Sequence, residues 1–125
     1  MSSSAPAGVR TYQNYVNGEW VASASGETFP VYDPSTEEVI ANVASASAFD
    51  VDRAVKAARA AFDGGSWAIT SAQDRGRILF KLADKIHQNT AHLAEIECRN
   101  TGKPIVEAEY DIADVATCFE YYGGL

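Results

Sequence analysis

Arg99-Asn-Thr-Gly-Lys-Pro104, followed by Ile105-Val-Glu-Ala-Glu-Tyr-Asp-Ile-Ala-Asp-Val-Ala-Thr-Cys-Phe-Glu-Tyr-Tyr122 and then Gly123-Gly-Leu125, is the stretch that decides the fold. Thr101-Gly102 followed by Pro104 reads as a helix stop and restart. Glycine suits the left-handed position just past a helix, and proline suits the start of the next. Ile105, Ala108, Ile112, Val115, Phe119 and Tyr122 recur at spacings of three and four, so they share an apolar helical face. Glu107, Asp111, Asp114, Cys118 and Tyr121 recur the same way on the flank beside it. No basic residue follows Lys103 to neutralise these acids within the helix. From spacing the flank reads first as a solvated face; the sharper reading is a channel wall that attracts a cation, and composition does not choose between them.

Working backward, three more helices lead to this one. Thr90 is placed to cap a short helix through Cys98, with Leu93 and Ile96 inward. Ser71-Ala-Gln-Asp74 opens a helix running to about Asn89 with Ile78, Leu79, Leu82 and Ile86 inward. Ser47-Ala-Phe-Asp50 reads as a capping box with aspartate in place of the usual glutamate. Its helix, to about Asp63, turns Val51, Ala54, Val55, Ala58 and Phe62 inward and stops at Gly64-Gly65. Trp67, in the connection, is expected to be buried. Ahead of these lie short strands. Asn14-Tyr-Val-Asn-Gly-Glu-Trp-Val21 is a hairpin signal, because Asn17-Gly18 suits a type I′ turn that needs positive φ at both positions. Thr28–Tyr32 is a strand whose Pro30 argues for an edge. Asp33-Pro-Ser-Thr36 is a turn, and Glu38–Val43 a further strand. The class is α+β: an N-terminal hairpin and small antiparallel sheet, then about four helices. Residues 1 to 11 read as a flexible tail.

With 125 residues and a formal net charge of −7, the chain is at most one domain by length and a poor partner for nucleic acid or an anionic membrane. No run approaches the roughly 18 apolar residues of a membrane span. Met1–Arg10 lacks the apolar segment of a signal peptide. Cys98 and Cys118 both fall in helical patterns, so a reducing compartment and a cytoplasmic location are expected. Neither has a base placed to activate it as a nucleophile. His87 and His92 do not share a helical face and do not make a zinc site. Lys103, at a helix start, reads better as an exposed loop lysine than as an anion ligand. Between the strands and helices there is no glycine-rich dinucleotide loop.

Asn100-Thr-Gly-Lys-Pro104, Asp111-Ile-Ala-Asp114, Cys118-Phe-Glu-Tyr-Tyr-Gly-Gly-Leu125, Tyr15-Val-Asn-Gly-Glu-Trp20, Tyr32-Asp-Pro-Ser-Thr36 and Asp52-Arg-Ala-Val-Lys-Ala-Ala58 stand in an order and spacing that resembles the N-terminal region of the NAD(P)-dependent aldehyde dehydrogenases. The nearest likeness is to the betaine-aldehyde and aminoaldehyde branch. The resemblance covers nearly everything after residue 11. It implies that residues 12–125 are a truncated, leading part of an α/β, Rossmann-like cofactor domain, with 12–44 the hairpin region and 47–125 the helices. In that family a cysteine thiol adds to the aldehyde, hydride passes to NAD or NADP, and water releases the acid. The nucleophile and the dinucleotide loop come later in the family's chains, so no catalytic or cofactor-binding residue is assigned here. The resemblance further implies a small-molecule aldehyde as partner and a homo-oligomer, dimer or tetramer, at full length. It places Asp111 and Asp114 in the substrate tunnel, facing the substrate's positive end. It also points to a monovalent-cation site using the backbone carbonyl of Tyr32 and position 100, where this chain has the neutral Asn100 instead of an acid. A small stand-alone helical binding module without catalysis is the other reading; it would be soluble and cooperative alone, whereas a fragment would expose apolar faces.

Overall fold

Residues 8 to 125 are described by a computed structural model. They fall into two compact units that meet in sequence at Ala68 and Ile69.

In the first unit, β2 (Asn14–Val16) and β3 (Glu19–Val21) form the expected hairpin, with Val16 opposite Glu19 and Tyr15 opposite Trp20. Asn17 and Gly18 turn it with φ of 54° and 84°, the left-handed pair that a type I′ turn requires. The Tyr15 and Trp20 rings meet across the ladder at 4.9 Å. The hairpin does not join the other strands. A separate three-stranded sheet runs β1 (Arg10–Tyr12), β5 (Val39–Ala44), β4 (Thr28–Tyr32). Pro30 lies in β4, at the sheet edge, as its missing N–H demands. The other edge corrects two expectations. Arg10–Tyr12 is a strand, not tail, and it pairs with β5 in parallel, Arg10 opposite Ala41 and Tyr12 opposite Val43. Short-range patterns do not reveal such a pairing, because its partner lies beyond an intervening hairpin and a further strand. The rest of the expected tail, residues 1–7, lies outside the described residues.

Asp50 ties this unit together. Ser47 caps α1 (Ala48–Gly64), and the two residues form the full capping box. The Asp50 carboxylate accepts from the Ser47 N–H at 2.9 Å and hydroxyl at 2.7 Å. It also accepts from the Ser23 hydroxyl at 3.1 Å and the Ala24 N–H at 3.1 Å, which belong to the loop after β3. Asp50 is 5% exposed. Hydrogen bonds from Ser47, then Ala24 and Ser23, outweigh its desolvation and lower its pKa from 3.8 to about 2. The outer face of α1 departs from expectation. Val51, Val55, Ala58 and Phe62 are exposed, and only Ala54 of the predicted inward set is half-buried. Within its unit α1 meets chiefly β2, a strand too short to cover that stripe. Trp67, in the short α2 (Ser66–Ile69), is likewise 44% exposed rather than buried. The side-chain amide nitrogens of Asn14 and Asn42 are buried without a hydrogen-bond partner among the described residues.

The second unit is three helices: α3 (Ala72–Gln88), α4 (Thr90–Thr101) and α5 (Ile105–Gly123). α5 packs on both others. The packed interior is small. Ala83, Ala94, Ala108 and Ala116 are fully buried, and no large side chain is. Gly76 of α3 lies so close to α5 that an added Cβ would stand 2.5 Å from the Gly123 carbonyl oxygen. The seam thus runs along Ala108, Ile112, Ala116 and Gly123. Ile105, Val115 and Tyr122, expected inside, stay exposed, as do Ile78, Leu82 and Ile96. Small residues let the helix backbones approach, and the bulky neighbours on each apolar stripe are left at the rim. Thr90 does not cap α4. Its hydroxyl donates back to the carbonyls of Ile86 and His87, and Asn89 at the cap position makes no side-chain cap bond. Gly102 stops α4 with φ 73°, as its sequence position indicates, and the helix's last residue, Thr101, lies three residues beyond the expected end at Cys98.

Asp50 is charged in the folded state at a pH where the unfolded chain already takes up the proton. Its stabilisation is therefore complete above pH 3.8 and is lost as pH falls through about 2. Urea midpoints measured across that interval fall for the wild type, and Asp50→Asn, less stable at neutral pH, shows a flatter profile. Gly76→Ala must push α3 from α5; we expect a loss of about 1–3 kcal/mol, as for other overpacked sites, read as a lowered melting temperature with helical content retained.

Candidate functional site

The acidic flank of α5 comes to lie against α4. Glu97 from α4, with Asp111, Ile112, Asp114, Val115, Cys118 and Phe119 from α5, lines an open groove of about 640 Å³. The geometry follows from the seam. Burying Ala108 and Ala116 against the neighbouring helices turns the Asp111–Asp114–Cys118 row away from the packed side. Ile112, Val115 and Phe119 give the groove its apolar part, so carboxylates and hydrocarbon share one concave surface. Asp111 and Asp114, singled out in the sequence, are both exposed and both line it.

The turn between α4 and α5 adds a residue that periodicity missed. Lys103 is half-buried, not an exposed loop lysine. Its backbone N–H donates to the Thr101 hydroxyl at 3.3 Å. Its ammonium donates to the Asp111 carboxylate and stands 3.7 Å from Glu97. The Asp111 hydrogen bond, ahead of a partly opposing desolvation and the charges of Asp111 and Glu97, raises the Lys103 pKa above its ordinary value. The flank therefore does have a neutralising base, donated from outside the helix and eight positions earlier in sequence. The left-handed Gly102 at the α4 terminus was the available signal, since it folds the chain back toward α5. Asp114, in contrast, has no ion-pair or hydrogen-bonding side-chain partner among the described residues.

Cys118 is exposed within the groove and Cys98 half-buried; both are free thiols. Neither hydrogen-bonds to a base among the described residues. His87 contacts Glu120 at 3.1 Å across α3 and α5. Among the described residues no three His, Cys, Asp or Glu side chains gather as metal ligands. Tyr32 closes β4 in the first unit, and Asn100 lies exposed in the last turn of α4 in the second. The strand-to-helix connection from β5 to α1, Ser45-Ala-Ser47, contains no glycine. This connection therefore lacks the glycine-rich turn of the usual strand–turn–helix diphosphate cradle.

Comparison with known proteins agrees with this arrangement of elements. The profile of the Aldehyde dehydrogenase family matches residues 20–125. The chain is 47% identical over 113 residues to Aldehyde dehydrogenase family 2 member B4, mitochondrial, of Arabidopsis thaliana, covering 90% of this chain and 21% of that protein. Among solved structures, an NAD-dependent aldehyde dehydrogenase from Sinorhizobium meliloti superposes with a TM-score of 0.88 at 42% identity, over 91% of this chain and 23% of that one. A betaine aldehyde dehydrogenase from Staphylococcus aureus, solved with NAD+, gives 0.89 at 38% identity, over 91% and 23%. The chain belongs to the aldehyde dehydrogenase family. It spans between a fifth and a quarter of the length of these relatives, and its sheets and helices correspond to the N-terminal part of their α/β fold.

The groove's charge can be probed without turnover. Cys118, exposed beside Asp114, should react with a cationic methanethiosulfonate severalfold faster than with an anionic one of equal size. The preference should shrink as salt rises. Mass spectrometry of the modified chain reads both rates; equal rates at low salt would mean that the acids exert no field in the groove.

Proposed function

We propose that this chain forms the leading part of an NAD(P)-dependent aldehyde dehydrogenase and that its acidic groove receives the positive end of an amino- or quaternary-ammonium aldehyde. The nicotinamide cofactor, which carries the hydride chemistry, belongs with residues outside this chain. The same holds for the thiol that attacks the aldehyde. The role left to these residues is to position substrate and supply scaffold, within a homo-oligomer in a reducing, cytoplasmic setting.

The observation that carries the substrate reading is Asp114, a carboxylate unpaired among the described residues and set beside Val115 in a groove shared with Ile112 and Phe119. A trimethylammonium or ammonium end needs both features. The charge seeks the carboxylate, and the methyl or methylene groups around it seek apolar contact. A neutral aliphatic aldehyde would use only the second. The betaine aldehyde dehydrogenase among the structural relatives suits this reading, although its identity to the chain is lower than that of the plant relative.

Two measurements test it. In the whole enzyme, Asp114→Asn should lower kcat/KM for a cationic aldehyde by about tenfold, at the low end of the range for bonds to a charged group, because the carboxylate is exposed. The loss should fall mostly on KM, with a much smaller change for a neutral aldehyde of similar length. Equal effects on both substrates, or none, would return the row to a solvated face. The chain by itself should show no saturable NAD binding by calorimetric titration; micromolar affinity there would contradict the division of roles proposed above.

A further inference from the structure

The ammonium of Lys103 already holds the position that a cationic substrate would seek. It donates to Asp111 and stands 3.7 Å from Glu97, two of the three acids that line the groove. Its main chain is set by the left-handed Gly102 before it and Pro104 after it, and by the 3.3 Å bond from its N–H to Thr101. We infer that Lys103 is a specificity-determining residue, an internal cation that competes with the positive end of the substrate for Asp111 and leaves Asp114 as the open anchor. This rests on the reading of the groove given under Proposed function.

The physical argument is a balance of like charges. Glu97, Asp111 and Asp114 bring three negative charges, and Lys103 offsets one of them. A second cation entering the groove meets the attraction of Asp114 and the repulsion of Lys103, and it must displace the lysine to engage Asp111. A neutral aldehyde of the same shape meets neither effect. Lys103 therefore lowers the discrimination between the two substrates below what three acids alone would produce. It also keeps Asp111 paired when no substrate is present. Side chains of Lys103 and Asp111 are 34% and 49% exposed, so water screens the pair and the effect is moderate.

The test uses the whole enzyme and a matched pair of substrates, a trimethylammonium aldehyde and the isosteric tert-butyl aldehyde. Lys103→Met removes the charge and keeps most of the stem. It should raise the ratio of kcat/KM for the cationic over the neutral substrate by about two- to fivefold, the range of a partly exposed ion pair, through a lower KM for the cation. Lys103→Arg should keep the wild-type ratio. A ratio that stays the same or falls in Lys103→Met overturns the inference. Asp114→Asn, measured beside it, separates the two readings: if it lowers the ratio while Lys103→Met leaves it alone, the groove binds cations and Lys103 has no part in choosing them. If Lys103→Met does not fold, Lys103→Gln takes its place. A second readout needs no turnover. In the 125-residue chain, Lys103→Met should widen the preference of Cys118 for the trimethylammonium methanethiosulfonate over its sulfonate counterpart by the same factor; an unchanged preference counts against the inference independently of any aldehyde.

Discussion

The close approach of α3 to α5 at Gly76 and Gly123 is the constraint on which the second unit depends. An α-helix can come this near another only where side chains are absent or small. Ala83, Ala94, Ala108 and Ala116, fully buried, continue the same seam through all three helices. A seam of small residues has few ways to slip where the backbones nearly touch, as at Gly76, where an added Cβ would meet the Gly123 carbonyl oxygen. That fixes the rotation of α5 about its own axis. The acids at positions 111 and 114 inherit their placement from it, and so does the thiol at 118.

The first unit solves a different problem with a different device. It has two separate sheets, neither with many strands, and little hydrocarbon to bury between them. Its order comes from a buried carboxylate that gathers donors from the start of α1 and from the loop after β3. Polar satisfaction here does what apolar packing does in the helical unit. In both, the largest apolar side chains remain at the surface. Phe49, Val55 and Phe62 in the one and Ile78, Tyr110 and Tyr121 in the other are all exposed. Surface of that kind is characteristic of a segment that other parts of a protein cover.

Much of this was legible from short patterns. Asn17-Gly18 announced the hairpin because two adjacent positive φ angles are costly for most residues. Ser47 with Asp50, and Ser71 with Asp74, announced two helix starts because a hydroxyl and a carboxylate at that spacing satisfy the free N–H groups. Thr90 looked equivalent and was not, since a hydroxyl that follows a helix end can also bond back to it. Hydrophobic periodicity located every long helix but misjudged depth. It counts Ile105, Val115 and Val55 as interior, whereas depth depends on what stands opposite, and Ala116 and Gly76 carry almost no hydrophobic signal. The Asp111–Asp114 row was readable from its spacing. Its pairing with Lys103 was not, because an eight-residue contact across a turn follows no helical or strand period.

The parallel pairing of β1 with β5 has a consequence for how the chain acquires its structure during synthesis. The hairpin of residues 14–21 is local and can close as soon as it leaves the ribosome. Arg10–Tyr12 emerges earlier yet has no partner until residues 41–43 follow. Among the described strands, the first to be made is thus the last to find its partner. It stays an unpaired edge until β5, which also pairs with β4, has been made. A strand of three residues presents little edge to a wrong partner in that interval, and Arg10 at its head adds a charge that discourages one.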